Sequence, residues 1–254
     1  MSWRHKTYAT VTGHPHVKAI VEALPKSVVL ADGLPRRSSM RVWRLIRSWQ
    51  GVAGGPEEAA GSFEAYEGGD MIDVGAYEGW YSVLLAPKAN PGDHFVSFEP
   101  DARMFADLLS MQADLQRIFP ELHLWAIPEP LGDGSPTELQ WPEEGVEGHP
   151  RFAGAATGDA PSSITIDDFV SVSGLIPKFV KIDVEGAEWF VLRGMSETLV
   201  SSQPIIMLEL HPTYLPEGVD ADQVEALLAD KGYRKSVVQR GDVSERQVWR
   251  PPAR

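Results

Sequence analysis

The sequence predicts an α/β fold in which a mostly parallel sheet is wound by helices on both faces. From residue 70 onwards, short apolar segments alternate with amphipathic segments. This alternation is typical of parallel strands joined by right-handed helical crossovers. Two final strand-like segments follow each other across a short turn and indicate an antiparallel hairpin that closes the sheet. We therefore predict a doubly wound, Rossmann-like domain.

Each strand prediction depends on a short apolar run bounded by turn residues, and each helix prediction on apolar residues at helical spacing. The predicted strands are Met71–Val74, Phe95–Phe98, Leu122–Ile127, Phe179–Ile182 and Ile205–Leu210, with hairpin strands near Lys235–Val238 and Arg246–Trp249. The predicted helices are Trp80–Lys88, Ala102 to about Gln116, Ala187–Leu192 and Ala221–Lys231.

We predict that residues 1–69 form a small N-terminal cap, separate from a main domain over residues 70–254. Within the cap, the pattern favours a helix over Val17–Leu24, a strand over Ser27–Ala31 and a helix over Met40–Gln50. The first residues contain no long apolar run, so we expect no signal peptide.

Composition narrows the range of partners. The formal net charge is −13, and no run of lysine or arginine interrupts it. Such a surface repels phosphate, so we expect no nucleic-acid partner and no membrane partner. The chain has no cysteine, which excludes disulfides and thiolate chemistry and is compatible with a cytoplasmic location. A small-molecule or glycan substrate remains.

A glycine turn follows the first predicted strand, in the segment DVGAYEGWYS. Asp73 lies near the strand end, Gly75 opens the turn, Tyr77 lies within it and Gly79 begins the next helix. Ligands of open α/β sheets bind at the carboxyl ends of the strands. The spacing is not the Gly-x-Gly-x-x-Gly of dinucleotide sites. A carboxylate at Asp73 instead suits a cationic group, such as the amino group of a methionine moiety.

The second strand ends in an acidic residue, Glu99, followed by Pro100. A carboxylate at this point can accept hydrogen bonds from both hydroxyls of a ribose. Combined with the glycine turn one strand earlier, Glu99 predicts a nucleoside-containing cofactor.

Five segments resemble, in order, the sequence blocks of FkbM-type methyltransferases. These are DVGAYEGWYS, VSFEPDARMF, SSITIDDFV, FVKIDVEGAEWFVLRGM and PIIMLELHP, within Asp70–His211. The resemblance implies a class I methyltransferase sheet, bound S-adenosylmethionine, and O-methylation of sugars or natural products. Two positions depart from the family. Tyr77 stands where Asn is usual, and Pro130 stands where Ala is usual.

The resemblance gives the later strand ends their expected roles. Leu131, after the third strand, is expected to border the adenine, and Asp183, after the fourth, to lie beside the reactive methyl group. Glu185 and Glu188 have a simpler interpretation, because acidic residues near a helix N-terminus stabilise the helix dipole.

His211 ends the fifth strand, two residues after Glu209, so both side chains are expected on one side of the sheet. A histidine titrates near neutrality and suits the role of general base toward an acceptor hydroxyl. The alternative is a Mg²⁺ or Ca²⁺ site formed by Asp183, Glu209 and His211, as in catechol-type enzymes. We rank the metal second and predict no metal site. His149 is a weaker candidate for the base.

The segment Pro142–Ser162 has no periodic apolar pattern and predicts a long loop that is mobile without substrate. We interpret it as a lid over the acceptor. Two rival functions remain at this point: a nicotinamide-dependent oxidoreductase, and a binding subunit that keeps the methyltransferase fold without catalysis.

Overall fold

The computed structural model describes residues 61–135, 137–140, 151–155 and 163–253. The elements predicted before residue 61 lie outside these ranges, as does His149. Within them, seven strands form one sheet in the order β3-β2-β1-β6-β7-β9-β8, and β4 and β5 form a separate pair. The predicted α/β fold is confirmed.

The strand bounds agree closely with the predicted apolar runs. The runs Met71–Val74, Phe95–Phe98, Phe179–Ile182 and Ile205–Leu210 are buried on both faces of the sheet. The strands are β1 Met71–Val74, β2 His94–Phe98, β3 His123–Ile127, β4 Thr137–Gln140, β5 Arg151–Ala155, β6 Phe179–Ile182, β7 Ile205–Leu210, β8 Arg234–Arg240 and β9 Glu245–Arg250.

Helices cover both faces of the sheet. The α-helices are α1 Trp80–Leu85, α2 Ala102–Ile118, α3 Ile166–Ser173, α4 Glu188–Arg193, α5 Thr198–Ser201 and α6 Ala221–Ala229, and a 3₁₀ helix spans Ala86–Lys88.

The five strands from β3 to β7 in the sheet order are parallel, and β9 runs antiparallel to both β7 and β8. The predicted hairpin is therefore present, with its second strand next to β7. The chain leaves β1 on one side towards β2 and β3, and returns to its other side at β6. This reversal creates a crevice at the carboxyl ends of β1 and β6, where ligands of such sheets bind.

Four of the described elements were not predicted: the strands β4 and β5 and the helices α3 and α5. Residues Arg151–Ala155 pair antiparallel with Thr137–Gln140, so the prediction of an unstructured 142–162 segment is wrong for its centre. Main-chain pairing forms this strand without the apolar period on which the prediction relied. The helix α3 was not predicted, although its cap is visible in the sequence, since the Thr165 hydroxyl accepts from Asp168 N.

The core lies on both sides of the sheet. Alternate residues of each strand point to opposite faces. Tyr66, which precedes β1, is 1% exposed and packs edge-on against Phe95 and Phe179. Residues just before position 70 thus belong to the core of the main domain. Among the described helices, none is long and apolar enough to cross a membrane.

Candidate active site at the carboxyl ends of the strands

The turns after β1 and β6 touch each other at Gly75. Its φ is +75°, and a Cβ built there would lie 1.9 Å from the carbonyl oxygen of Asp183. The N–H groups of Gly75 and Ala76 both donate to Phe98 O, at 3.0 Å each. A glycine is required here because two backbones approach within contact distance, as well as for the left-handed conformation.

Tyr77 also has a left-handed backbone, with φ 53°, and it is not a glycine. Asparagine adopts this conformation more readily than tyrosine. The residue that is usual in FkbM-type sequences is therefore the one that the turn geometry favours. Two residues on, Gly79 has φ 87° and begins α1, and a Cβ there would lie 2.9 Å from Leu108 Cδ1.

Glu99 lies at the end of β2 and faces the same crevice. Its Oε2 accepts from Tyr77 N and its Oε1 from Asp101 N, at 2.8 Å each. Burial raises the pKa of Glu99, while these two N–H groups act in the opposite direction. Each carboxylate oxygen retains a second lone pair, so a fixed pair of acceptors is present at the place predicted for a ribose.

Asp73 is buried within the sheet. It is 0% exposed and lies in register with Lys181 on β6, whose Nζ is 3.3 Å from Asp73 Oδ1. Burial raises the pKa of Asp73, and the ammonium of Lys181 opposes that rise. Asp73 is therefore the internal counter-ion of Lys181, and its contact with the amino group of the cofactor stays a prediction.

Lys181 connects the two turns of the site, and sequence reasoning missed it. Its Nζ donates to Gly75 O at 2.6 Å, lies 3.5 Å from Asp183 Oδ2 and sits 5.0 Å from the centre of the Tyr81 ring. Burial alone would lower the pKa of Lys181, but Asp73 and Asp183 raise it above its ordinary value. A lysine inside the apolar strand FVKI was the available signal.

His211 is 3% exposed and pairs with Glu188 across 2.8 Å from Nδ1 to Oε1. Burial alone would lower the pKa of His211, but Glu188, Glu185 and Asp183 raise it to about 9. The Tyr214 ring stacks on the imidazole at 5.7 Å between centres. Sequence reasoning gave Glu188 a helix-dipole role and missed this pair, because the partner is 23 residues away.

The second nitrogen of His211 faces two further carboxylates. Nε2 lies 3.7 Å from Glu185 Oε2 and 3.9 Å from Glu209 Oε1. One ligand atom each from Asp183, Glu209 and His211 lie within 4.8 Å of one another. The predicted convergence of these residues is thus present.

A guanidinium group and a hydroxyl group donate hydrogen bonds to the carboxylate of Glu209. Its Oε2 accepts from Arg246 Nε at 2.6 Å and its Oε1 from Ser244 Oγ at 2.7 Å. With Lys181 beside Asp183, two of the three candidate metal ligands have a positive partner. A divalent cation would be repelled by both cations, so the donor set fits a metal poorly.

Two other predicted residues lie at the border of the crevice. Pro100 is partly exposed beside Glu99. Leu131 is 5% exposed, pairs with Ile164 in an isolated parallel bridge and packs in the core, so its side chain is mostly turned from solvent.

Comparison with known proteins gives one family and several distant structural similarities. The Methyltransferase FkbM domain family matches residues 73–235. No curated protein matches the chain. The structure of methyltransferase FkbM from Methylobacillus flagellatus KT is 13% identical over 98% of this chain and 62% of its own, with a TM-score of 0.49. The present chain therefore spans about 62% of the length of that structure.

Two further structures belong to other methyltransferases. Precorrin-6y C5,15-methyltransferase from Geobacter metallireducens GS-15 is 15% identical over 77% of this chain and 85% of its own, with a TM-score of 0.43. Fibrillarin from Aeropyrum pernix, in complex with natively bound S-adenosyl-L-methionine, is 12% identical over 73% of this chain and 67% of its own, with a TM-score of 0.43. We infer nothing about the substrate of this chain from these two similarities.

The family match covers the glycine turn after β1, Glu99, the KIDVEGAE turn and His211. It includes more than half of the chain and every strand end that forms the crevice. By this match, the chain belongs to the FkbM methyltransferase family.

Proposed function

We propose that this protein is an S-adenosylmethionine-dependent O-methyltransferase that acts on a hydroxyl group of a sugar or natural product. The observation that carries the proposal is the position of the buried Glu188–His211 pair at the end of β7, in the same crevice as the glycine turn and Glu99. This crevice combines hydrogen-bond acceptors suited to the hydroxyls of a ribose with a histidine suited to accept a proton.

The residues present fit the cofactor. Glu99 offers fixed acceptors for ribose hydroxyls, with Tyr77 and Pro100 beside it. The Gly75 turn leaves no side chain between the two backbones. The partly exposed carboxylates of Asp183 and Glu185 suit the positive charges of a sulfonium and an ammonium group. S-adenosylmethionine would supply an electrophilic methyl group at this place.

The contribution of the protein to the reaction is positioning and proton removal. Methyl transfer needs no covalent enzyme intermediate, so holding the reacting groups in line contributes most of the rate. His211 would take the hydroxyl proton at Nε2, while its Nδ1–H donates to Glu188. Asp183 would help to place the acceptor. The strand β5 belongs to the segment Pro142–Ser162, which we propose selects the acceptor.

Glu99→Ala is expected to weaken cofactor binding about 10- to 100-fold for each ribose hydrogen bond that is lost, because charge-assisted hydrogen bonds contribute about 1.5–3 kcal/mol each. Calorimetry with S-adenosylhomocysteine measures this. The isosteric Glu99→Gln, which keeps one acceptor, should give an intermediate loss. Glu129→Gln, at an exposed site after β3, is the matched control and should bind like the native protein. Unchanged affinity in Glu99→Ala would show that the pocket lies elsewhere.

The convergence of Asp183, Glu209 and His211 favours a second candidate, a metal-dependent O-methyltransferase. Because Arg246 and Lys181 already neutralise two of these groups, we expect EDTA to leave turnover unchanged. Rates with and without EDTA, followed by added Mg²⁺, measure this. Loss of turnover on chelation that Mg²⁺ restores would establish the metal-dependent reaction, and Asp183→Asn and Glu209→Gln should then be as damaging as His211→Ala.

A further inference from the structure

The carboxylate of Glu188 is buried at a position where an acidic side chain normally reaches water. Glu188 is the first residue of α4, yet it is 0% exposed. A first-turn acid at an exposed site gains only a small stabilisation from the helix dipole. Removing an unpaired carboxylate from water costs much more than this gain. The dipole alone therefore does not account for a buried Glu188.

The contacts of Glu188 converge on one oxygen. Oε1 accepts from Gly186 N at 3.2 Å and lies 2.8 Å from His211 Nδ1, while Oε2 has no hydrogen-bond partner among the described residues. The side chain is thus oriented so that Oε1 contacts His211, and this orientation leaves Oε2 without a hydrogen bond. An ionised carboxylate only accepts, so Nδ1 of His211 carries the proton that joins the two groups.

Every charged group that faces His211 comes from a different part of the crevice. Glu188 approaches Nδ1 from α4, Glu185 approaches Nε2 from the turn after β6, Glu209 does so from β7, and Asp183 contributes from the end of β6. Tyr214 holds one face of the ring. Only the bond to Glu188 is short enough to fix which nitrogen bears the proton.

We propose that Glu188 is a positioning residue for His211, which holds the ring in the crevice with Nδ1 protonated and Nε2 directed to the reacting hydroxyl. This rests on the proposed function only in the last step, where Nε2 receives a proton. The orientation of the ring is a property of the protein alone. In acyl-transfer triads, a carboxylate that holds the histidine tautomer has the same physical role.

The experiment compares Glu188→Leu, Glu188→Gln and His211→Ala, with Glu217→Gln at an exposed site after β7 as the control. Proton NMR of the protein without cofactor follows the Nδ1–H, which a short bond to a buried carboxylate shifts downfield and protects from exchange. The native protein should show this signal, and His211→Ala should lose it, which assigns it. Glu188→Leu should also lose it, and Glu188→Gln should shift it upfield. Glu217→Gln should retain it.

Steady-state kinetics provides the second readout. Glu188→Leu should lower kcat at least tenfold, and by no more than the 10²- to 10⁴-fold that a general base contributes, and should change KM for the acceptor less than about threefold. Glu188→Gln, which still accepts a hydrogen bond, should recover part of kcat. A purely structural residue would instead change thermal stability without this split.

The outcomes separate the two proposals. A signal that is absent from the native protein, or that persists in Glu188→Leu, would overturn the positioning role. Loss of the signal together with full kcat in both Glu188→Leu and His211→Ala would overturn the base role of His211, and with it the catalytic importance of its orientation.

Discussion

Replacement of Lys181 by methionine should lower the free energy of unfolding by about 3–5 kcal/mol, because removal of one partner of a buried ion pair leaves the other charge unpaired. The ammonium of Lys181 lies 3.3 Å from Asp73, which is 0% exposed and has no other cation in contact among the described residues. The same change removes the hydrogen bond to Gly75 O. Chemical denaturation of the two proteins measures the difference.

A matched surface control distinguishes burial from charge. Lys235 pairs with Glu225 at 2.6 Å, but its side chain is 33% exposed, so Lys235→Met should cost about 0–1 kcal/mol. The double variant Asp73→Asn/Lys181→Met should recover part of the loss, because no unpaired charge remains. If Lys181→Met costs no more than Lys235→Met, the Asp73–Lys181 pair does not stabilise the fold.

His211→Ala should lower kcat by about 10²- to 10⁴-fold and leave cofactor affinity nearly unchanged, because a base acts only as charge develops in the transition state. The acceptor for this assay would come from mass spectrometry of metabolites that gain CH₂ with the purified enzyme. Calorimetry with S-adenosylhomocysteine gives the affinity. Full turnover in His211→Ala would exclude the histidine as base.

The pH dependence follows from the raised pKa of His211. A folded-state pKa of about 9, against an ordinary 6.5, means that the ring is mostly protonated at neutral pH in the protein without cofactor. If it acts as base, kcat/KM for the cofactor should rise about tenfold per pH unit and level off above about pH 9. His211→Ala should lack this rise, and a pH-independent native rate would contradict the assignment.

The raised pKa of His211 also makes the stability of the fold depend on pH. Stability should fall as pH rises, whereas kcat/KM should rise. Because the folded-state pKa is the higher one, protonation of His211 stabilises the fold. That contribution is complete below about pH 6.5 and disappears as pH rises through about 9. The stability difference between the native protein and His211→Ala should therefore shrink across this interval, as chemical denaturation at several pH values would show.

Local patterns were sufficient for the sheet and for the position of the crevice. Apolar runs such as Met71–Val74 and Phe179–Ile182 form strands because they are buried on both faces, and a short apolar run bounded by turn residues identifies them. Polar residues at the ends of such runs, Glu99 and His211 among them, meet at one edge once the strands are parallel. Local pattern did not identify β5, whose pairing has no apolar period.

The partner of each acidic residue depended on strand order and register, which join residues far apart in the chain. No neighbour of Asp73 in the chain identifies its counter-ion, because β1 lies beside β6 in a register that pairs Asp73 with Lys181. Glu188 looked like a helix-dipole residue, but the end of β7 brings His211 to 2.8 Å from it. The charge of a carboxylate is visible in the sequence, whereas its burial and counter-ion exist only after the strands assemble.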